Sequence, residues 1–126
     1  DRLMLICRGI RGATTADENT DTSIYGATRE MLSKLIEANG IEEQYVAAAY
    51  FTMTPDLNAV FPAAAARQLG WTNTALMGAA ETGVPGSLPR CIRVLILLNT
   101  EKDQQDIVNV YLKGTDALRL QGVESD

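Results

Sequence analysis

Histidine is absent from this chain of 126 residues, and cysteine occurs only twice. Without histidine the chain cannot form Ser-His-Asp or Cys-His catalytic groups, and histidine metal sites are excluded. Cys7 and Cys91 lie in apolar, strand-like runs, so we expect both to be small buried hydrophobes. Two such cysteines indicate no disulfide framework, which makes a reducing cytoplasm the expected compartment.

Positive charge and long apolar runs are also scarce. Eleven basic residues stand against 16 acidic ones, and this net charge of −5 argues against a nucleic-acid partner. A local group of arginines can still bind a small anion. No apolar run is long enough to cross a membrane, and the opening residues lack the layout of a secretory signal. Walker loops, dinucleotide fingerprints and metal-ligand spacings are missing too, so neither a metal nor a cofactor is predicted.

The length predicts a single domain over residues 1–126, in which strand and helix patterns alternate. Apolar runs predict four strands: Leu3–Ile10, Tyr45–Thr54, Thr72–Ala80 and Cys91–Asn99. The last run is apolar on both faces, so we expect it at the centre of the sheet. Residues 12–15 are interpreted as a bend and residues 82–89 as a loop, while the tail from about residue 114 is expected to be mobile.

Three segments favour helices. Apolar residues recur at three- and four-residue spacing from Ile24 to Ile36, which predicts one long amphipathic helix capped by Gly40. Phe61–Leu69 predicts a short helix with proline in its first turn, and Asp103–Asp106 opens another that runs towards Tyr111. The predicted fold class is α/β (α+β), with a mixed β-sheet and one long helix and short helices on one side.

One arginine is out of place in the most apolar strand. Arg93 stands in the run Cys91–Leu98, which is otherwise apolar. A buried charge is unfavourable unless it is paired, so Arg93 requires an anion. That anion is either Glu81, in an internal salt bridge, or a substrate carboxylate or reacting oxygen. The strand pattern alone does not separate these two interpretations.

Two further arginines favour a ligand. Arg11 ends the first strand beside Gly9 and Gly12, which permit close approach of a ligand or backbone, although a solvated strand-end arginine fits the pattern as well. Arg67 follows four alanines, where a plain surface arginine is the alternative. Together with Arg93 they offer more planar donors than one glutamate can satisfy. Such a group suits a small substrate with two carboxylates and a hydroxyl.

Four blocks of the sequence resemble the monofunctional, AroH-type chorismate mutases: Arg8–Thr15, Thr54–Ala63, Cys91–Val94 and Val110–Leu112. Their order and spacing are close to those of the family, and they extend from about Arg8 to Leu120. The resemblance implies a cofactor-free Claisen rearrangement of chorismate to prephenate in phenylalanine and tyrosine biosynthesis. It also implies a homotrimer around a pseudo-α/β-barrel, with an active site in each cleft between subunits.

The resemblance further implies roles for individual residues. Arg93 would contact the breaking ether oxygen, Glu81 would accept from the ring hydroxyl, and Arg11 would bind a carboxylate. The implied substrate-binding residues are Tyr111, Phe61, Arg67, Ala63, Gly78 and Leu118, with Leu118 and Arg119 on a tail that closes over the mouth. Without the resemblance, the local pattern favours a tyrosine at the edge of the core for Tyr111 and a core residue for Phe61.

The chain departs from the family at three cleft positions. Gly78 stands where the best-known members carry a cysteine, Met77 replaces a threonine, and Ala64 replaces a lysine found in some members. Loss of the cysteine contact is expected to affect substrate affinity more than activity. The alternative function is a trimeric module that binds small carboxylates without turnover, which loss of chorismate absorbance would distinguish.

Overall fold

A computed structural model describes residues 4–120, which form a five-stranded mixed sheet and two α-helices. The strands are β1 (Ile6–Thr15), β2 (Val46–Met53), β3 (Ala75–Ala80), β4 (Cys91–Thr100) and β5 (Val110–Tyr111). The α-helices are α1 (Asp21–Asn39) and α2 (Ala63–Gln68), and 3₁₀ helices span Glu43–Tyr45, Gln104–Asp106 and Asp116–Leu120. The strand order β3-β2-β4-β1-β5 confirms the mixed sheet and the central position of β4.

Helix α1 follows from its local sequence. The Thr20 hydroxyl accepts a hydrogen bond from the Ser23 backbone N–H at 3.2 Å and so caps the first turn. Gly40 ends the helix in the left-handed conformation at φ 63°, as predicted. The buried face of the helix carries Ile24, Ala27, Met31, Leu32 and Leu35. Within the described residues, no helix is long and apolar enough to cross a membrane.

The helices cover only one face of the sheet. Ile92 and Ile96 of β4 are buried in the same apolar core as α1 and α2, whereas the alternate side chain Leu95 is 41% exposed on the opposite face. The uncovered face also carries Cys7, which is exposed although burial was predicted, while Cys91 is buried as predicted. Strand β4 is therefore central, but residues 4–120 bury just one of its faces.

Strand β1 is longer than predicted, because the bend expected at residues 12–15 is wrong. These residues continue the strand and pair with β4 as far as Thr15 opposite Cys91. At Gly12 an added Cβ would lie 2.6 Å from Leu35 Cδ1 and 3.1 Å from Val94 Cγ1. The absence of a side chain here therefore makes room for helix α1, while the Gly12 backbone also lines a cleft on the other face. The predicted start of the strand is too early, because Met4 and Leu5 precede β1, and Leu3 lies outside the described residues.

The helix expected from Asp103 towards Tyr111 is also wrong. One 3₁₀ turn is followed by β5, which pairs in parallel with β1. Before β5 begins, Gln104 Nε2 donates to the Gly9 carbonyl at 2.7 Å, and Asn109 Oδ1 accepts from the backbone N–H of Arg11 at 2.8 Å. These side chains satisfy the edge of β1 where no described strand lies beside it, a requirement that helical periodicity does not reveal.

Candidate active site

A cleft of about 430 Å³ opens on the uncovered face of the sheet. It gathers four predicted residues: Arg11 from β1, Arg93 from β4, Tyr111 from β5 and Glu81, directly after β3. The pairing of the strands explains the convergence. Arg93 of β4 lies directly opposite Ala13 of β1. Because the side chains of paired residues point to the same face, Arg93 shares its face of the sheet with Ala13.

Arg93 and Glu81 form an ion pair inside the cleft. Arg93 Nε lies 3.3 Å from Glu81 Oε2, and the two side chains are 32% and 19% exposed. The Thr52 hydroxyl donates to the same Glu81 oxygen. The internal salt bridge considered for Arg93 therefore exists, and it stands at the wall of a cavity that a ligand can enter. A half-buried pair of this kind is less screened by water than a surface pair.

Arg11 and Tyr111 stand together at the rim. Arg11 Nη2 donates to the Leu118 carbonyl at 3.2 Å, so the segment that carries Leu118 touches the cleft. The Arg11 guanidinium carbon lies 5.9 Å from the centre of the Tyr111 ring, and that of Arg119 lies 5.1 Å from it. Both distances fall within cation–π range. Thr115 is buried beside this segment, and the mobility expected of the tail stays a prediction.

A smaller cavity of about 270 Å³ shares Glu81 and Arg93 with the cleft and adds Leu118 and Cys91 to its lining. Burial raises the pKa of the Cys91 thiol to about 11, and the nearby Glu81 carboxylate contributes to this rise. The thiol is therefore neutral at ordinary pH and is neither a nucleophile nor a counter-charge for Arg93.

Two other predicted residues lie in a separate apolar groove of about 460 Å³. Phe61 and Gly78 line it, and it meets the cleft at Ala80, which borders both. Phe61 is 79% exposed, so the prediction of a core phenylalanine is wrong. An added Cβ at Gly78 would come no closer than 3.8 Å to the Phe51 carbonyl, so this position has room for a side chain.

Within one chain, Ala63 and Arg67 do not reach the cleft. Ala63 is buried in the core beside α1, and Arg67 is exposed on α2. Neither side chain lines the cleft or the groove. Their implied contacts with substrate stay predictions that require a second chain.

The loop that carries Phe61 is held by one asparagine. Asn19 Oδ1 accepts from the backbone N–H groups of Asn58 at 2.9 Å and Ala59 at 3.1 Å, and Asn19 Nδ2 donates to Asn58 Oδ1 at 2.8 Å. Asn19 precedes α1 and was not predicted to have any role in the site. Three bonds from a single side chain restrict the direction in which the loop presents Phe61.

A second tether joins the end of β2 to the start of β4. Asp56 accepts from the Thr54 hydroxyl at 2.5 Å and from the backbone N–H of Arg90 at 2.9 Å. The Thr54 bond is the main reason why the pKa of the Asp56 carboxyl is lowered. Thr54 in turn accepts from the Cys91 backbone N–H at 2.9 Å. The strand that carries Arg93 is thus anchored next to the groove.

Thr52 and Tyr50 line the cleft but were not among the predicted site residues. Their alternation in the sequence shows that they share one face of β2. It does not show which β4 residue each of them meets. Thr52 lies opposite Arg93 because of the register between β2 and β4, which no local sequence signal encodes.

Comparisons with known proteins agree with this fold. Residues 7–121 match the family model of chorismate mutase type I. Chorismate mutase AroH of Thermus thermophilus is 53% identical over 114 residues, which are 90% of this chain and 92% of that protein. The Bacillus subtilis protein of the same name is 40% identical over 116 residues and 91% of each chain. A chorismate mutase structure from Clostridium thermocellum superposes with a TM-score of 0.85 at 50% identity, covering 86% of this chain and 97% of that one.

Proposed function

The chain belongs to the type I chorismate mutase family and has chorismate mutase activity, and from this premise we propose how its cleft acts. The cleft converts chorismate to prephenate by positioning and electrostatic stabilisation, in the route to phenylalanine and tyrosine. The observation that carries this mechanism is the Arg93–Glu81 pair in the cleft beside Arg11 and Tyr111. Family membership favours turnover over a module that only binds carboxylates.

The rearrangement breaks one carbon–oxygen bond and forms one carbon–carbon bond within a single molecule. It transfers no proton and needs no nucleophile, which suits a chain without histidine. Arg11 and Tyr111 hold the substrate carboxylates, so that the enolpyruvyl group lies over the ring. Arg93 faces the ether oxygen as negative charge develops there. Because Glu81 already orients it, this charge needs little reorganisation during the reaction.

A pH profile tests the absence of acid–base catalysis. Turnover is expected to be nearly flat from about pH 6 to 9, because ordinary carboxylates and arginines stay charged across that range. The measurement is kcat from the loss of chorismate absorbance in buffers of constant ionic strength. A bell-shaped profile centred near neutrality would indicate a proton transfer in the rate-limiting step and would contradict this mechanism.

The chain assembles as a trimer whose active sites are shared between neighbours. Two features support this. The sheet face that the helices leave uncovered exposes the apolar side chains Tyr50, Met77 and Leu95, a surface that a second chain would bury. Phe61 is exposed in a groove of its own, as expected of a residue that completes a neighbour's cleft. The three uncovered faces would then meet around the central barrel.

Mixed trimers test the shared site. Arg93→Ala spoils the charged surface and Phe61→Asp spoils the apolar one, so each protein alone should be nearly inactive. After the two are unfolded together and refolded as an equal mixture, a cleft is intact only where each chain supplies its unaltered surface. Random head-to-tail assembly makes about one cleft in four of this kind, so activity should rise to roughly a quarter of wild type.

The control is each variant refolded alone, with trimer formation checked by light scattering. If both variants co-assemble and the mixture stays as inactive as its parents, the two surfaces belong to one chain and the shared-site model is wrong.

A further inference from the structure

The Thr52 hydroxyl contacts the Arg93–Glu81 ion pair inside the cleft. Its Oγ1 donates to Glu81 Oε2, the same oxygen that lies 3.3 Å from Arg93 Nε. Thr52 also lies directly opposite Arg93 in the β2–β4 ladder and lines the cleft. Threonine, glutamate and arginine thus form a three-membered cluster in which Glu81 receives donors from two different strands.

The backbone makes this threonine a stiff donor. A β-branched side chain on a strand has few χ1 rotamers, so the direction of the hydroxyl is set by β2. A hydrogen bond from a neutral hydroxyl to a carboxylate is stronger than one between neutral groups. With two donors on the same oxygen, rotation of the Glu81 carboxylate about its own axis is opposed. The contact with Arg93 alone would oppose that rotation less.

We propose that Thr52 is a positioning residue that orients the Glu81 carboxylate for substrate. By holding Oε2 on the protein side of the pair, it presents Oε1 to the ring hydroxyl of chorismate and keeps Arg93 at the distance set by the ladder. This role rests on the proposed functions of Glu81 and Arg93. It predicts that loss of the hydroxyl affects catalysis only while Glu81 is present.

Two substitutions separate the hydroxyl from the shape of the side chain. Thr52→Val removes the donor and keeps the branching, and it should lower kcat/KM about tenfold or more, the effect expected for one hydrogen bond to a charged group. Thr52→Ser keeps the donor and should stay within about threefold of wild type by the same reasoning. If serine and valine cause equal losses, the methyl packing matters and the positioning role is overturned.

A second threonine provides the matched control. Thr74 Oγ1 donates to Glu43 Oε2 at 2.9 Å, which is the same kind of bond, and neither residue lines the cleft. Thr74→Val should therefore leave kcat/KM within about twofold of wild type, because it removes a hydroxyl-to-carboxylate bond of similar strength elsewhere. If Thr74→Val lowers kcat/KM as much as Thr52→Val does, the loss of any such bond affects activity through stability alone, and the positioning role is overturned.

A double-mutant cycle with Glu81→Ala distinguishes the positioning role of Thr52 from the proposed mechanism of Glu81 and Arg93. In the Glu81→Ala background, Thr52→Val should add less than about a twofold effect, because the group that Thr52 orients is gone. The cycle is measured twice, on kcat/KM for chorismate and on the dissociation constant for prephenate by calorimetry, so a weakly active background still yields an answer.

The outcomes are separable. Additive losses from Thr52→Val and Glu81→Ala would overturn the positioning role and leave the proposed mechanism intact. A Glu81→Ala protein with wild-type kinetics would instead refute the mechanism on which that role rests. Circular dichroism spectra and unfolding temperatures are measured for all variants, and values that match wild type establish that each comparison concerns folded protein.

Discussion

The charged cleft and the apolar groove adjoin at Ala80, yet the described residues treat their main side chains differently. In the cleft, Arg93 forms an ion pair with Glu81 of the same chain, and the Thr52 hydroxyl donates a hydrogen bond to Glu81. In the groove, Phe61 remains 79% exposed, and what is fixed is the loop beneath it. The charged groups of the cleft are therefore paired within one chain, whereas the groove leaves its aromatic side chain exposed.

The physical reason lies in the two kinds of surface. A half-buried charge without a partner is strongly unfavourable, so the folded chain must supply its counter-charge at once. An exposed phenylalanine raises the free energy of the folded chain much less, so the chain can leave this side chain uncovered. The described residues therefore pair the charge of Arg93 and leave Phe61 exposed.

The largest effect on turnover is expected when the positive charge of Arg93 is removed from the cleft. Arg93→Ala should raise the barrier by roughly 3 kcal/mol or more, a loss of at least about a hundredfold in kcat, by analogy with deletion of one oxyanion donor. Arg93→Lys should recover only part of this, because lysine lacks the planar fork. The chorismate assay measures both, with Lys34→Ala as the control, because Lys34 is an exposed cation on α1 and does not line the cleft. Turnover of Arg93→Ala within tenfold of wild type would remove Arg93 from the mechanism.

A smaller effect on kcat/KM is expected when the loop that carries Phe61 loses its hydrogen bonds to Asn19. Asn19→Ala deletes the bonds to Asn58 and Ala59, so the loop presents Phe61 less precisely, and kcat/KM should fall about threefold to tenfold for roughly 1 kcal/mol of lost ordering. Asn19→Asp keeps the accepting oxygen and should retain most of the activity. Unchanged kinetics in Asn19→Ala, in a protein shown to be trimeric, would mean that the groove needs no such tether.

The smallest effect concerns stability alone, on the strand that carries Arg11. Thr14 is fully buried on the helix side of β1, and its Oγ1 has no hydrogen-bond partner among the described residues. Thr14→Val should raise the free energy of unfolding by about 1 kcal/mol and leave kcat unchanged. Thr28→Val is the control, because Thr28 Oγ1 donates to the Ile24 carbonyl at 2.7 Å. Urea unfolding measures both, and a destabilised Thr14→Val would show that this hydroxyl is satisfied in solution.

Local patterns predicted those features that depend on neighbours in the chain. The long helix with its Gly40 cap and the central strand with its misplaced arginine follow from periodicity, capping chemistry and the cost of an unpaired charge. The errors have the same origin. Gly12 resembled a bend because glycine is a common turn residue, whereas its actual role depends on Leu35, 23 positions further along the chain.

The amino-acid sequence by itself indicated the family, through four blocks that resemble it, and it predicted the mixed sheet and excluded histidine chemistry, because residue types and local patterns encode these features. Only the tertiary structure decided that Thr52 meets Glu81, that Asn19 holds the Phe61 loop, and that Phe61 lies outside the charged cleft. Strand register and long-range packing are set by the total burial of the core. No single segment contains that information, so these contacts become visible only once the chain is folded.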